Sequence, residues 1–139
     1  MDVDQIAKLK KISQQLRKSV IRELSAAGSG HSAGCLGFAD VMAVLYFHVM
    51  RLDPENPNWE YRDIFVMSNG HYAPLLYVTL AERGFFDKKE LANLRKFGSK
   101  LQGHPERGSL AGIETTSGPL GCGLSQAAGM AYSLQYLGG

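Results

Sequence analysis

The chain has 139 residues, 45% hydrophobic and 20% charged, with a formal net charge of +2. That suffices for one domain with a real core and is too little for two, and so weak a charge gives no electrostatic basis for binding nucleic acid or an acidic membrane. No apolar run approaches the ~20 residues of a bilayer span, the first residues lack the apolar centre of a signal peptide, and two cysteines without CxxC spacing exclude a disulfide scaffold, so a reduced, cytoplasmic protein is expected.

Residues 4–26 form an amphipathic pattern. Ile6, Leu9, Ile12, Leu16, Val20 and Leu24 recur three and four apart and predict one buried helix face. The basic residues Lys8, Lys10, Lys11, Arg17 and Lys18 are interspersed with acidic ones and read as a solvated face. Gly28 offers a stop. Residues 28–37, GSGHSAGCLG, place four glycines around His31. They read either as an interhelical turn or as a loop that a ligand can approach closely. Residues 38–50 are apolar nearly all round and predict a buried helix. His48 lies within it and is given no role.

Residues 51–63, rich in Pro and Asn, predict a loop whose Trp59 and Tyr61 cover an edge of the core. Ile64, Phe65, Val66 and Met67 then form a short apolar run between breakers, the pattern of a buried strand. Ser68-Asn69-Gly70-His71 follows, and residues 72–83 predict a helix with Pro74 in its first turn. A strand, a tight turn and a helix N-terminus make an anion site, because free N–H groups and the helix dipole both favour phosphate. Capping of the helix by Ser68 or Asn69 is compatible with that role. A further helix is expected from Asp87, with Glu90 in capping-box position and Leu91, Leu94 and Phe97 on one face.

Residues 103–123, GHPERGSLAGIETTSGPLGCG, form a 21-residue loop with six glycines and two prolines. Loops of this length are uncommon unless functional or disordered, and stiff turns at both ends argue against disorder. Residues 124–137 predict a helix whose Ala127, Ala128, Gly129 and Ala131 permit close approach of a neighbour. Several helices around one strand do not complete an α/β layer, so the chain reads as an incomplete α/β domain, mostly helical in the part present.

Three glycine-flanked histidines, His31, His71 and His104, thus stand on three separate loops. Imidazoles exchange hydrogen bonds with hydroxyls and neutralise phosphate, so the set suits a phosphorylated, polyhydroxylated ligand. A zinc site lacks paired ligand spacing. A serine or cysteine hydrolase lacks a nucleophile elbow, and a dinucleotide fingerprint would have to follow a strand directly.

These motifs resemble a known family. Gly30-His31-Ser32, Ser68-Asn69-Gly70-His71, Gly103-His104-Pro105-Glu106 and the segment from Gly112 to Gly121 (GIETTSGPLG) occur in the order and spacing of the N-terminal, diphosphate-binding part of transketolase. The likeness extends over nearly the whole chain. Residues 98–106 (GSKLQGHPE) and the compact 73–86 segment look closest to the form encoded as two chains. The resemblance implies that residues 1–139 are the N-terminal part of a thiamine diphosphate-binding, three-layer α/β/α domain. It implies transfer of a two-carbon ketol unit from a ketose phosphate to an aldose phosphate.

By the same resemblance His71 contacts the cofactor diphosphate, and Gly118, Pro119 and Leu120 line its rings. His31 and His104 face the ketose, orienting its hydroxyl and carbonyl groups and moving protons. Mg2+ accompanies the cofactor, with its ligands expected outside this chain, where the family's Gly-Asp-Gly motif belongs. The implied partners are sugar phosphates and a C-terminal transketolase part or subunit, in a dimer or heterotetramer. The chain alone is expected to be inactive and to bind cofactor weakly. Gly34-Cys35-Leu36 and Cys122 depart from the usual pattern near the expected site. A non-catalytic remnant serving as a scaffold is the alternative, but a remnant is expected to lose its ligand-facing loops first, and these are intact.

Overall fold

The structure is a computed structural model and describes residues 1–136. Four helices and three short helical turns make up its regular structure. Helix α1 spans Val3–Ala27. It starts where the Asp2 carboxylate accepts the Gln5 N–H at 2.7 Å and ends at Gly28, in left-handed conformation (φ 66°). Its buried stripe is Leu9, Ser13, Leu16, Ser19, Val20 and Glu23. The helix is therefore rotated slightly from the expected apolar face: Ile6 is exposed, and Ile12 and Leu24 are only half-buried. The small serines account for the rotation. Ser13 donates to Asp40, Arg17 pairs with Asp40 at 2.7 Å, and Arg17 Nε donates to the Leu36 carbonyl at 2.9 Å, which together strap α1 to the next helix.

Helix α2 spans Ala33–Val44 and continues as a π-helical turn over Leu45–Val49. It begins well before the expected residue 38, so Gly34, Cys35 and Gly37 lie inside a helix and only residues 28–32 remain as loop. Glycine disfavours helix interiors by about 1 kcal/mol. Gly34 is retained because a Cβ there would fall 2.0 Å from the ring of Tyr72. Cys35, Ala39, Met42 and Ala43 are buried, but Val41, His48 and Val49 are exposed. The helix is thus half-buried, and His48 sits at the surface with Nδ1 2.8 Å from the Gln5 side-chain amide.

Helix α3, Ala73–Arg83, is the centre of the molecule. Every residue from Ala73 to Ala81 is buried, and α1 and α2 pack on it. Its Thr79 hydroxyl, wholly inside, donates to the Leu75 carbonyl at 2.7 Å, as a buried hydroxyl must find a partner. Leu16, Val20, Met42, Leu75, Tyr77, Leu80 and Leu101 fill the space between these elements.

Three further expectations change. Residues 64–67 are partly to fully buried, but no strand forms among the described residues. A strand requires a neighbouring strand to complete its ladder, and no other described segment forms one. The helix expected from Asp87 is a short 3-10 turn, Lys88–Asn93, begun by the Asp87 carboxylate accepting the Lys89 N–H at 2.9 Å. Leu91 and Leu94 are buried, yet Phe97 is fully exposed, because the chain reverses at Arg95 (φ 61°) before the helical period can carry it inward. Trp59 is half-buried and stacks edge-on to the exposed Tyr61, with ring centroids 6.3 Å apart, and neither is among the hydrophobic residues packed on the core.

The long loop is pinned throughout. Pro105, Ile113, Thr115 and Ser117 are buried. The Ser117 N–H donates to the Pro105 carbonyl at 3.1 Å, and Arg62 grips the Glu114 carboxylate in a two-pronged ion pair at 2.9 and 3.0 Å. Helix α4, Cys122–Tyr136, follows. Leu137, Gly138 and Gly139 of the expected ending lie outside the described residues. Ala127 is half-buried, whereas Ala128, Gly129 and Ala131 are exposed. No helix among the described residues is long and apolar enough to cross a membrane.

Candidate functional site

The three histidine loops meet around the start of α3. A 3-10 turn, Gly70–Tyr72, leads into that helix and carries His71. Neither Ser68 nor Asn69 caps it. Asn69 makes no side-chain capping bond, and the Ser68 hydroxyl instead accepts the Gly123 N–H at the beginning of α4, at 3.1 Å. Donors at the start of α3 are therefore not consumed by the expected caps, which leaves the anion-site geometry open even without a strand before it.

His31 reaches this turn from the loop between α1 and α2. Its ring stands edge-on to that of His71, with centroids 5.2 Å apart and planes at 67°. Tyr72 packs against His71 at 4.6 Å and fills the space over Gly34, so the missing side chain of Gly34 is what lets the His31 loop come down beside the turn.

The long loop joins from the other side. A Cβ on Gly70 would lie 2.6 Å from the Ser117 carbonyl oxygen and 2.9 Å from the Gly118 nitrogen. The His71 turn is thus seated directly on the Ser117–Gly118 peptide. Gly118 in turn faces the His104 ring, whose Cδ2 would be 3.9 Å from a Cβ at that position. The buried Tyr77 hydroxyl holds the start of the loop by donating to the carbonyls of Gln102 (2.9 Å) and His104 (3.2 Å). Burial, with the Glu106 charge adding to it, pushes the Tyr77 pKa up and keeps this hydroxyl protonated as a donor.

His31 and His71 are thus in ring contact, and Gly70 and Gly118 link the His71 turn to His104. Pro119 and Leu120 stand at the edge of this surface, both exposed, Leu120 with 70% of its surface open. At the centre Ser117 is 8% exposed, and its hydroxyl has no hydrogen-bond partner. An orphaned buried hydroxyl costs about 1–3 kcal/mol, a cost that a ligand acceptor or donor would remove. Cys35 is buried behind this surface, where burial raises its thiol pKa and keeps it protonated. Cys122 is exposed at the first turn of α4.

The model of the transketolase thiamine diphosphate binding domain matches residues 8–138. The chain belongs to the transketolase thiamine diphosphate-binding family. It is 47% identical over 138 residues to transketolase of Mus musculus, a match that covers 97% of this chain and 22% of the relative. It is 42% identical over 120 residues to the 6-deoxy-6-sulfo-D-fructose transketolase subunit SqwG of Clostridium sp., covering 86% of this chain and 44% of that subunit. Transketolase from Leishmania mexicana superposes with a TM-score of 0.89 at 37% identity, over 93% of this chain and 19% of that one. A Pichia stipitis transketolase solved with sedoheptulose 7-phosphate gives 0.83 at 38% identity, over 88% and 18%. The chain thus spans less than half the length of each of these relatives. The predominantly helical fold is that of part of a thiamine diphosphate-binding α/β domain.

Sequence reasoning missed three contributors to this transketolase surface. Gly70 and Gly34 are spacers whose necessity lies in contacts far along the chain. Arg95 is the third: its guanidinium lies against both Gly30 and Gly103, the residues before His31 and His104. Its signal is a left-handed backbone at a non-glycine residue, which no local sequence pattern announces.

Proposed function

We propose that this chain supplies part of the cofactor and substrate site of a transketolase-type transferase, which moves a two-carbon ketol unit from a ketose phosphate to an aldose phosphate. The observation that carries the proposal is the seating of the His71 turn on the Ser117–Gly118 peptide, which draws the His31, His71 and His104 loops to one face. Residues 1–139 are then the leading part of one thiamine diphosphate-binding domain.

The residues present fit the cofactor. His71, beside the open donors at the start of α3, holds the diphosphate end. Gly118 and Pro119 present backbone close to the rings, and the exposed Leu120 side chain packs on them. The orphaned Ser117 hydroxyl lies within the same cradle. Thiamine diphosphate, when bound, supplies the nucleophile and electron sink, and the protein supplies position and electrostatics. His31 and His104 flank the ketose. Their imidazoles orient its hydroxyl and carbonyl oxygens and carry protons to and from them. Mg2+ neutralises the diphosphate through ligands supplied by the C-terminal part or partner subunit, in a cytoplasmic dimer or heterotetramer.

The scaffold alternative does not account for intact glycine-histidine loops around a buried, unpartnered hydroxyl. Calorimetry with thiamine diphosphate and Mg2+ tests the proposal on the chain combined with its C-terminal transketolase part. Saturable binding is expected, and His71→Ala is expected to weaken it about tenfold or more, the loss of one hydrogen bond to a charged group. No binding by the wild-type assembly would overturn the proposal.

A further inference from the structure

Helix α3 enters the site twice. At its start the Gly70–Tyr72 turn carries His71. Further along, Tyr77 is only 1% exposed, and its hydroxyl meets the backbone of the loop that carries His104. The hydroxyl oxygen lies 2.9 Å from the Gln102 carbonyl oxygen and 3.2 Å from that of His104. Those carbonyls flank Gly103, so the chain on both sides of that residue bends onto one side-chain atom. A phenol has a single proton to give, and here two acceptors share it in a three-centre bond.

The next carbonyls outward are served by the main chain. The Leu101 carbonyl accepts the Arg95 N–H at 2.8 Å, and the Pro105 carbonyl accepts the Ser117 N–H at 3.1 Å. No side-chain substitution removes those two donors. The two inner carbonyls depend on the Tyr77 hydroxyl instead. One of them is bonded directly to the His104 Cα, so the hydroxyl fixes the point from which the imidazole projects. Because Tyr77 and His71 belong to one turn-and-helix segment, α3 also sets the spacing between the histidine assigned to the cofactor and one assigned to the ketose.

We propose that Tyr77 is a positioning residue for His104: from within the core its hydroxyl holds the His104 peptide so that the imidazole meets the ketose. The inference rests on the transferase reading above. Tyr77 acts through His104 alone, so its removal is felt in the ketose steps and not in cofactor binding, which the His71 turn serves. Misplacement of a reacting group by about 1 Å costs up to about a hundredfold in rate, so one lost tether suffices to be measured.

The test uses the assembled enzyme, this chain with its C-terminal part, as wild type, Tyr77→Phe, His104→Ala, the double variant, and Thr79→Val. Thiamine diphosphate affinity is measured first. If the wild type binds none, the transferase reading fails and this inference with it. Tyr77→Phe keeps the packed ring and loses only the hydroxyl. It is expected to lower kcat/KM for a ketose phosphate about tenfold, some 1.4 kcal/mol, and to leave cofactor affinity within about twofold. In the His104→Ala background the same substitution is expected to change kcat/KM by no more than about twofold, because the group it positions is gone. Its effect on Tm is expected to be the same in both backgrounds, which separates positioning from stability. Thr79→Val is the matched control. Thr79 is wholly buried on the same helix, and its hydroxyl donates to the Leu75 carbonyl within α3 rather than to a loop. Thr79→Val should lower Tm while kcat/KM stays within about twofold of wild type. Wild-type kcat/KM in Tyr77→Phe, an equal loss with and without His104, an equal loss in Thr79→Val, or a loss confined to cofactor affinity would each overturn the assignment and leave the transferase reading intact.

Discussion

Gly70→Ala isolates the contact on which the candidate site depends. Gly70 does not have positive φ, so alanine brings no backbone strain of the left-handed kind. Its effect is steric alone. The added methyl would meet the Ser117 carbonyl oxygen at 2.6 Å, the Ser117 carbonyl carbon at 2.7 Å and the Gly118 nitrogen at 2.9 Å. All three are backbone atoms and cannot rotate away. Restoring ordinary contact requires the two segments to part by roughly 0.8 Å, and overpacking of this kind costs about 1–3 kcal/mol. Displacements near 1 Å in a catalytic constellation cost up to about a hundredfold in rate. In the assembled enzyme Gly70→Ala is therefore expected to lower Tm by several degrees and to weaken thiamine diphosphate binding at least about tenfold, some 1.4 kcal/mol. Gly37→Ala is the control. It lies in α2 with nothing within 4 Å of its Cβ position, and it should gain up to about 1 kcal/mol of stability from better helix propensity. Calorimetric cofactor titration and thermal unfolding read both. Wild-type affinity in Gly70→Ala would show that the seat on Ser117–Gly118 does not set the site.

Two further outcomes follow from the ion pairs. Arg62 and Glu114 keep only 19% and 17% of their side-chain surface exposed, so Arg62→Met strands a largely buried carboxylate. A loss of about 2 kcal/mol is expected, below the 3–5 typical of full burial. Part of it should return in the double variant Arg62→Met/Glu114→Leu, and thermal unfolding of all three proteins checks this. The Arg17 guanidinium first, and the Ser13 hydroxyl second, hold the Asp40 carboxyl down at about 2, against about 3.9 when unfolded. A depressed carboxyl stabilises the fold above its unfolded pKa, and the contribution fades as pH falls from about 4 toward 2. Since Asp40 is largely exposed, the contribution is at most about 1 kcal/mol. Asp40→Asn should therefore have a lower Tm than wild type at pH 7, with the gap closing between pH 4 and 2. A gap independent of pH would contradict the linkage.

Much of the helical framework was legible from period alone. The apolar repeat of α1, Gly28 at its end and Pro74 in the first turn of α3 each act through local geometry, and each stands where the sequence pattern puts it. What was not legible depends on partners distant in the chain. Ser13 and Ser19 are polar in any local reading, yet both are buried, Ser13 by donating to Asp40 of the Arg17–Asp40 pair that joins α1 to α2. Ile64 to Met67 have the composition of a strand, but a ladder belongs to two segments and the described residues supply only one. Phe97 continues the spacing of Leu91 and Leu94, but the Arg95 reversal interrupts the helix that would give the spacing meaning.

The glycines carry the same distinction into the site. Gly28 and Gly84 serve their own backbone: each ends a helix in the left-handed region, and the neighbouring residues announce it. Gly34, Gly70 and Gly123 serve other segments. They vacate space for the Tyr72 ring, the Ser117–Gly118 peptide and Ser68 respectively. In sequence the two kinds look alike, and so the three histidines stood out as a set while the reason they converge did not. Each of the latter glycines removes a side chain where two segments distant in the chain meet, and the site so assembled runs from His31 to the His71 turn, and through Gly70 and Gly118 to His104. Catalytic residue types alone could not have produced that surface. It depends on backbone-to-backbone contact at Gly70, which is why a single methyl there is a sharper probe of the site than removal of any one imidazole.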